Sequence, residues 1–279
     1  MATATWFITG TSSGFGMAFA RYAVERGYNV VATARTPAKL EQLRRTAPDR
    51  ILVQKLEVTV PGDAERAVAA ARERFGRIDV LINNAGYGIV GAVEETPEAE
   101  WRALMETNFF GAMSVIRAAL PTLRAQRGGA IVNISSLGGQ LSVAGFGAYS
   151  ATKFALEGAS EALAQELKPF GLKVLIVEPG QFRTGFAGAA LRHMPAIDAY
   201  RESVAGTREF ARGMDGAQFG DPAKAPAAIE AALEAPSTPL RLQLGADSVD
   251  AIRNHAEALL EDLEAWEALA RSTAFEQGA

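Results

Sequence analysis

The stretch TWFITGTSSGFG, residues Thr5–Gly16, decides the fold class of this chain. A short, mostly apolar, β-prone run (5–9) leads into a turn with the spacing Gly-x-x-x-Gly-x-Gly, and a helical pattern then continues to residue 27. Glycines let the backbone approach a ligand closely, and the first turn of a helix offers free N–H groups and a positive dipole end. The order of strand, glycine turn and helix favours a nucleotide-phosphate site, with an ordinary turn as the alternative.

The same alternation of strand and helix continues through most of the chain. Helical patterns separate the strands, and the longest of them covers residues 97–125. Such alternation predicts a parallel, doubly wound α/β sheet of about seven strands flanked by helices. Besides the strand at 5–9, strands are predicted at 29–34, 51–57, 79–82, 130–135, 172–177 and 240–244.

Composition narrows the functional classes. The chain has 279 residues and 48% hydrophobic content, enough for one large α/β domain or two small ones. A formal net charge of −4 offers no basic surface for nucleic acid. There is no cysteine and there are only two histidines, His193 and His255, so we expect neither thiol chemistry nor a metal site. With no apolar run near the ~20 residues of a membrane span and no signal-like N-terminus, we expect a soluble, cytoplasmic protein without membrane contacts.

Tyr149 and Lys153 are the pair of residues that indicates acid–base chemistry. They lie four positions apart at the start of a helical pattern, so their side chains share one helix face. A neighbouring ammonium lowers a tyrosine pKa that starts near ~10, and a tyrosine tuned in this way can exchange a proton near neutral pH. Alone the pair is weak evidence, because Tyr-x-x-x-Lys is common on solvated helix faces. Ser136 follows the predicted strand at 130–135, thirteen residues before Tyr149.

Further candidates follow the ends of other strands. In dinucleotide-binding folds the second strand ends at the adenosine ribose, where an acid binds the 2′-hydroxyl of NAD and an arginine binds the 2′-phosphate of NADP. Ala34 followed by Arg35, with no competing carboxylate, therefore favours NADP over a merely solvated arginine. Asn83–Gly86 forms a small-residue turn after the fourth strand, at the sheet edge where ligands bind. Asn108, beside two phenylalanines, is expected to be a buried structural hydrogen bonder or part of a polar site.

Two C-terminal regions leave alternatives open. Residues 185–220 interrupt the alternation and are expected to form either an apolar substrate lid or ordinary surface helices packed on the core. An amphipathic helix is predicted at 247–271, and its apolar residues either pack on the domain or contribute to a subunit interface. These apolar residues are Val249, Ile252, Ala256, Leu259, Leu260, Leu263, Trp266 and Ala270.

Together these motifs resemble the short-chain dehydrogenase/reductase family in its single-domain form. They occur in the family's order and spacing and cover about residues 5–185. The resemblance implies a Rossmann-type sheet in one domain over residues 1–279, with a cofactor and catalytic core at 5–184, a substrate loop or lid at 185–220 and a C-terminal helical extension at 246–272. The matching motifs are Thr9-Gly10-x-x-x-Gly14-x-Gly16, Asn83-Asn84-Ala85-Gly86, Asn108, Ser136, Tyr149-x-x-x-Lys153 and Pro179-Gly180-x-Phe182-x-Thr184.

The resemblance also implies hydride transfer between a nicotinamide and a carbonyl or alcohol carbon. Tyr149 would be the general acid in reduction and the base in oxidation, and Lys153 would lower its pKa and hold the nicotinamide ribose. Ser136 would bind the substrate oxygen, and Asn108 would hold a water that links Lys153 to solvent. We expect NADP(H) to be preferred over NAD(H). The cofactor-binding residues would be Gly10, Ser12, Ser13, Gly14, Phe15, Gly16, Arg35, Glu57, Val58, Asn84, Ala85, Gly86, Tyr149, Lys153, Pro179, Gly180, Phe182 and Thr184.

The chain departs from the family pattern at two positions. Glu57 stands where an aspartate usually approaches the adenine, and Ser13 stands where some NADP-preferring members carry a base, so Arg35 would bear most of the 2′-phosphate recognition. Members commonly form dimers or tetramers, so we expect a homodimer or homotetramer, whose surface the helix after Leu244 could change.

Three functional hypotheses are compatible with these motifs. The first is an NADP(H)-dependent carbonyl reductase or alcohol dehydrogenase acting on an apolar small molecule, a ketone, an aldehyde or a secondary alcohol. The second is a catalytically silent NADP-sensing or scaffold protein, which has no chemical need for Asn108, Ser136, Tyr149 and Lys153 together. The third is a nucleotide-sugar epimerase or dehydratase, for which residues 185–279 are too few and too helical to form the substrate domain.

Overall fold

The computed structural model describes residues 3–275, so the outermost residues of the predicted 1–279 domain, 1–2 and 276–279, lie outside the described residues. Nine strands are formed in this part of the chain. They are β1 (Thr5–Ile8), β2 (Asn29–Ala34), β3 (Ile51–Lys55), β4 (Val80–Asn83), β5 (Gly88–Val90), β6 (Gly129–Ile134), β7 (Leu172–Pro179), β8 (Leu191–His193) and β9 (Arg241–Leu244).

Seven of these strands form one parallel sheet in the order β3-β2-β1-β4-β6-β7-β9. Strands β2 and β4 pair on opposite sides of β1, so the direction of winding reverses there. Open α/β sheets bind ligands at such a reversal, beyond the carboxyl ends of the strands. The predicted doubly wound α/β sheet with a helix after its last strand is therefore confirmed.

Nine α-helices lie within residues 3–275. They are α1 (Gly14–Glu25), α2 (Glu41–Thr46), α3 (Asp63–Phe75), α4 (Glu98–Met105), α5 (Gly111–Gln126), α6 (Gly147–Leu167), α7 (Arg201–Gly213), α8 (Ala225–Glu234) and α9 (Ala246–Arg271).

The central strands are buried on both faces, which explains their nearly continuous apolar sequences. In β1, Trp6 and Ile8 belong to a core layer that includes residues of α1 and α8, whereas Phe7 belongs to the opposite layer with residues of α3, α5 and α6. All three β1 side chains are buried, and each such burial contributes ~1.5–3 kcal/mol. The helices are therefore fixed against the sheet whose edge carries the polar candidates.

Several predicted boundaries are wrong by one to a few residues. The first strand ends at Ile8, because Thr9 lies beyond the last paired position and turns its hydroxyl toward the amides of Asn84 and Ala85. The helix predicted at 97–125 is divided by a wider, π-helical turn at Glu106–Phe110, which carries Asn108. Such a turn shifts the side-chain phase, which the sequence periodicity does not reveal.

The region predicted as residues 185–220 contains a short strand and a helix. Strand β8 pairs with β5 in a separate two-stranded parallel sheet, and α7 follows. Neither strand was predicted, because three residues are too few for a periodic signal.

We predict that Gly16 sets the distance between β1 and α1. A Cβ at Gly16 would collide with the carbonyl oxygen of Gly10 and would lie 2.7 Å from Asn84 Nδ2. Gly16→Ala should therefore lower the free energy of unfolding in urea by about 1–3 kcal/mol. The matched control is Gly158→Ala in α6, where a Cβ would meet nothing within 4 Å. That control should gain up to ~1 kcal/mol, and equal effects of the two changes would contradict the prediction.

Candidate active site

One face of α6 carries three titratable side chains, a helical turn apart, into the interior. Tyr149, Lys153 and Glu157 are all buried. Their backbone is held against the sheet by a buried chain of hydrogen bonds in which Asn83 donates to Asn133 and Asn133 donates to Ser160. This chain joins β4 and β6 to α6. The face is therefore placed beside the carboxyl ends of these two strands.

Lys153 is held by the end of β6. Its Nζ donates a hydrogen bond of 2.9 Å to the carbonyl oxygen of Ile134 and lies 5.7 Å from the centroid of the Tyr149 ring. Burial lowers the pKa of Lys153 to about 8, and the nearby carboxylate of Glu157 acts in the opposite direction. A lysine in this position can change its charge near neutral pH.

Tyr149 lies beside Ser136, as the sequence predicts. A Cβ placed on Gly138 would be 3.5 Å from both Ser136 Oγ and Tyr149 Cε1, so the two side chains are neighbours. Burial raises the pKa of Tyr149 to about 12, and a side-chain hydrogen bond with Ser136 opposes this rise. The structure thus corrects the expectation that Lys153 lowers this pKa: in the protein alone, loss of water around the phenol dominates.

Asn108 is buried within the site and links two of its segments by hydrogen bonds. Its Nδ2 donates to the Tyr87 carbonyl oxygen at 2.9 Å and to Thr152 Oγ1 at 3.0 Å, and its Oδ1 accepts from the Tyr87 amide at 3.1 Å. A Cβ on Gly86 would lie 3.0 Å from this Oδ1 and 3.9 Å from Lys153 Nζ. Asn108 therefore ties the segment after β4 to α6 and lies close to the lysine.

The glycine turn and the segment after β4 are fixed to each other. Gly10 and Gly14 adopt φ angles of 69° and 53°, which favour glycine. The side chain of Asn84 donates to the carbonyl oxygens of Thr9 and Gly10, and Thr9 Oγ1 accepts from the amides of Asn84 and Ala85. Thr9 was missing from the predicted site residues, although it precedes the first glycine of the motif.

The segment 179–184 lies against the start of α1. Phe182 packs on Phe15 with ring centroids 5.0 Å apart, and a Cβ on Gly14 would lie 3.3 Å from Thr184 Cβ. Pro179 is the last residue of β7, which brings this segment to the carboxyl edge of the sheet. The predicted residues of two distant motifs therefore meet here.

The first turn of α9 shapes the same segment. Asp247 accepts a hydrogen bond of 2.7 Å from the Gln181 amide, and a Cβ on Gly180 would collide with its carboxylate. Ser248 Oγ donates to the carbonyl oxygen of Glu178 at 2.7 Å. Sequence reasoning missed both contacts, because no local signal links residues nearly seventy positions apart.

Arg35 and Glu57 form the candidate adenosine end of the site. Arg35 Nε lies 3.8 Å from Glu57 Oε2, with the Arg35 side chain 82% exposed. The structure therefore corrects the expectation that no carboxylate competes for Arg35. An exposed pair of this kind is worth only ~0–1 kcal/mol, so the guanidinium can exchange partners readily. The neighbouring Val58 side chain is buried in the core against Gly111.

An apolar wall faces Tyr149. The ring of Phe186 lies 5.4 Å from the Tyr149 ring and that of Phe146 lies 6.2 Å away, measured between centroids. Met194 and Ile89 complete the same cluster. The wall combines residues of the predicted 185–220 region with residues before α6 and in β5.

A buried ion pair holds the helix of this region in place. Arg208 in α7 pairs with Glu95 at 2.6 Å and donates to the Met194 carbonyl oxygen at 2.7 Å. Burial acts to raise the pKa of Glu95, but hydrogen bonds from the Ile197 and Ala92 amides and the Arg208 guanidinium together hold it below its ordinary value. Of the two predicted alternatives, the packing of a helix on the core is therefore observed for α7. The segment before α7 contributes Phe186 and Met194 to the apolar wall.

Below Lys153 lies an acidic cluster that the sequence analysis did not identify. Glu157 accepts from Ser135 Oγ at 2.5 Å, and Arg241 Nε lies 3.3 Å from Glu157 and 3.1 Å from the fully buried Glu178. Burial, reinforced by the charge of Glu157, raises the pKa of Glu178 to about 7. The position of Glu157 four residues after Lys153 was the one available signal.

The glycine turn has the features that binding a dinucleotide phosphate requires. Gly16 approaches the backbone of Gly10 so closely that no side chain could be present, and Ser13, which precedes α1, makes no capping hydrogen bond within the described residues. The amides of the first turn of α1 are therefore available to a phosphate group. Ser12 and Ser13 are exposed on this turn.

Within residues 3–275, no group of three or more His, Cys, Asp or Glu side chains could hold a metal ion. No helix described by the structure is both long and apolar enough to cross a membrane.

The fold and the site together define a Rossmann-type α/β protein with a polar cleft at the switch point of its sheet. The family model described as short chain dehydrogenase matches residues 4–195. "Oxidoreductase BOA17" of Botryotinia fuckeliana (strain B05.10) is 38% identical over 273 residues, which cover 98% of this chain and 100% of that protein. The "3-ketodihydrosphingosine reductase" of Bacteroides thetaiotaomicron is 48% identical over 179 residues, 64% of each chain.

Solved structures agree with this match. A short-chain dehydrogenase from Streptomyces avermitilis is 48% identical, with a TM-score of 0.92 over 98% of this chain and 100% of that chain. A metagenomic short-chain oxidoreductase in complex with NADP is 33% identical, with a TM-score of 0.61 over 64% of this chain and 83% of that one. A Burkholderia phymatum structure in complex with NAD shares the fold at 22% identity, with a TM-score of 0.81 over 93% and 95% of the two chains.

This chain belongs to the short-chain dehydrogenase/reductase family. It is an NAD(P)-dependent oxidoreductase acting on CH–OH or C=O groups.

The Glu95–Arg208 pair gives a prediction for the apolar wall. Glu95→Gln leaves the buried guanidinium without its carboxylate and should lower the free energy of unfolding by about 3–5 kcal/mol. Glu98→Gln removes one partner of the exposed Glu98–Arg102 pair and should change it by less than ~0.5 kcal/mol. Urea unfolding of the two variants provides the comparison. Similar losses in both would show that the buried pair does not hold α7.

Proposed function

We propose that this protein is an NADP(H)-dependent carbonyl reductase or alcohol dehydrogenase acting on an apolar ketone, aldehyde or secondary alcohol. The observation that carries the proposal is the placement of Tyr149 beside Ser136, with Lys153 and Asn108 directly behind them at the sheet's carboxyl edge. A bound nicotinamide supplies or accepts the hydride.

Tyr149 would act as the proton donor in reduction and the acceptor in oxidation. Its phenol lies next to the Ser136 hydroxyl, so both groups can hydrogen-bond to one substrate oxygen. Ser136 is itself oriented, since its Oγ accepts from the Gly138 amide at 3.0 Å, and its own O–H can turn from Tyr149 to a substrate oxygen. Burial keeps Tyr149 protonated at neutral pH, which suits the donor role.

Lys153 would supply positive charge behind the phenol. Among residues 3–275 its Nζ has one hydrogen-bond acceptor, the Ile134 carbonyl oxygen, and an ammonium has three donors, so two remain for ribose hydroxyls or water. Asn108 would keep the backbone after β4 in register with the lysine and line the route of a water to it.

The dinucleotide would run from the glycine turn to Tyr149. The turn and the first amides of α1 would bind the pyrophosphate, Arg35 the 2′-phosphate, and the segment 179–184 the nicotinamide amide. Glu57 would either release Arg35 to the phosphate or contact the adenosine. The full set proposed for the cofactor is Gly10, Ser12, Ser13, Gly14, Phe15, Gly16, Arg35, Glu57, Val58, Asn84, Ala85, Gly86, Tyr149, Lys153, Pro179, Gly180, Phe182 and Thr184.

The apolar wall supports an apolar substrate. Phe146 and Phe186 flank Tyr149. Val143, three residues before Phe146, and Val93, which lies 3.5 Å from a Cβ placed on Gly147, add exposed apolar surface. The relative named 3-ketodihydrosphingosine reductase makes 3-ketodihydrosphingosine a useful member of a substrate panel.

We further propose one domain organised as a core at 5–184, a lid at 185–220 and an extension at 246–272. The expected homodimer or homotetramer and the cytoplasmic location belong to the same proposal. Sedimentation velocity tests the oligomeric state, and fractionation of the source cells tests the location.

Replacing Tyr149 tests the chemistry. Tyr149→Phe should keep NADPH affinity within about twofold but lower ketone reduction by about 10²–10⁴-fold, because the proton donor is removed. NADPH fluorescence and absorbance, with NADH in parallel, measure both quantities over a panel of aliphatic, aromatic, steroidal and long-chain ketones and aldehydes. Tyr87→Phe, in the same apolar cluster, is the control and should retain activity. Unchanged turnover in Tyr149→Phe would remove this residue from the mechanism. Tight NADPH binding by the native protein without turnover of any ketone would favour the sensor hypothesis.

Replacing Arg35 tests the choice of cofactor. Arg35→Ala should weaken NADPH by about 10–100-fold and NADH by less than about threefold, since only NADPH carries the 2′-phosphate. Lys39→Ala, an exposed cation four residues later, should change neither affinity appreciably. Equal losses for the two nucleotides in Arg35→Ala would contradict the NADP assignment.

A further inference from the structure

Helix α9 leaves the domain after its first turns. Ser248 and Asp247 anchor its start to the segment after β7, as described above. Among the described residues of α9, only Ser248 is buried. Leu259, Leu263 and Trp266 are 56%, 61% and 64% exposed. The apolar face of this helix is therefore not covered by the described part of its own chain.

Six apolar residues of α9 follow a heptad spacing, and the exposed Leu260 and Leu269 flank them. Successive members of the six are separated alternately by four and three residues, which is the 3.5-residue period of helices that pack along a common seam. We call these six residues the seam: Ile252, Ala256, Leu259, Leu263, Trp266 and Ala270.

We propose that the seam pairs with the seam of a second copy of this chain, with the two α9 helices antiparallel. In that arrangement Leu259 lies opposite Leu263 of the second copy. The larger Trp266 lies opposite the small Ala256, and Ile252 lies opposite Ala270. Each layer, meaning one such pair of opposed positions, thus combines side chains whose volumes together fill the space between the two helices. A parallel pair would instead place Trp266 against Trp266 and alanine against alanine, leaving one layer overfilled and two underfilled.

Charges beside the seam favour the same orientation. An antiparallel pair brings Arg253 of each helix to Glu267 of the other, and both residues are held in their own helix only by exposed pairs with Asp250 and Arg271. The one contact between like charges is that of Asp262 in one helix with Asp262 in the other. A parallel pair would align the acidic residues Glu257, Glu261, Asp262, Glu264 and Glu267 of both helices along their whole length.

The same charges disfavour a lipid surface as the occupant. Helices that lie in a membrane interface carry lysine and arginine on their polar face. From Glu257 to Glu267 the polar face of α9 carries five acidic residues and no basic one. The seam proposal concerns assembly and is independent of the proposed activity.

Cysteine crosslinking gives the orientation test, since the native chain has no cysteine. Ala256→Cys and Trp266→Cys are made separately in the full-length protein and oxidised alone and as a 1:1 mixture after subunit exchange. Antiparallel pairing should give disulfide-linked dimers in the mixture only. Dimers formed by Ala256→Cys alone would indicate parallel helices and overturn the proposed orientation. Absence of crosslinking in every sample would overturn the pairing itself.

A charge placed in the seam tests whether the surface drives assembly. Leu263→Asp should halve the mass of the assembly in sedimentation velocity, or raise its dissociation constant at least 100-fold. Ala268→Asp introduces the same charge on the opposite side of the helix and should leave the mass unchanged. Circular dichroism and urea unfolding confirm that both variants are folded. A wild-type protein that is monomeric at micromolar concentration, or a Leu263→Asp variant with the wild-type mass, would contradict the proposal.

Discussion

Burial of the polar face of α6 is the constraint on which the site depends. Tyr149, Lys153 and Glu157 are removed from water together, and an unpaired buried charge is costly. The Ile134 carbonyl oxygen accepts from the lysine, while Ser135, Gln140 and Arg241 contact the carboxylate of Glu157. The carboxyl end of β6, the turn after it and the edge strand β9 are therefore all required to make this helix face stable.

Burial also decides which protonation states the site favours. It raises the pKa of Tyr149 to about 12 and lowers that of Lys153 to about 8, so both groups move toward their neutral forms. The four-residue spacing predicts attraction between ammonium and phenolate, but in the protein alone the loss of hydration is larger. Lys153 is consequently the group of this pair whose charge changes closest to neutral pH.

The sequence predicts features that are set locally or by a repeated pattern. Hydrophobic runs and glycine turns located all seven strands of the main sheet, and the motifs placed Ser136, Tyr149, Lys153 and Asn108 at one edge. The family assignment is confirmed by the comparisons. These features were accessible because strand order and the carboxyl ends of parallel strands follow from general rules of α/β folds.

Contacts between distant segments were not accessible from the sequence. Glu57 approaches Arg35 only because β2 and β3 are adjacent in the sheet, and the register of that pair is not encoded in either strand alone. Similarly, the three-residue segments β5 and β8 are strands only because they pair with each other. The exposure of α9 could not be read from its amphipathic pattern, because the same pattern fits packing on the domain or on another molecule.

The start of α9 connects the segment 179–184 to the proposed pairing surface. Asp247 and Ser248 hold the backbone after β7, and the same two residues set the direction in which the helix departs. In an antiparallel pair the twofold axis passes near Glu261, fourteen residues beyond Asp247. At a rise of ~1.5 Å per residue, the two copies of the segment 179–184 would lie about 40 Å apart along the pair. Neither copy could then contribute a side chain to the other's Tyr149, so assembly through α9 would leave two complete and separate sites.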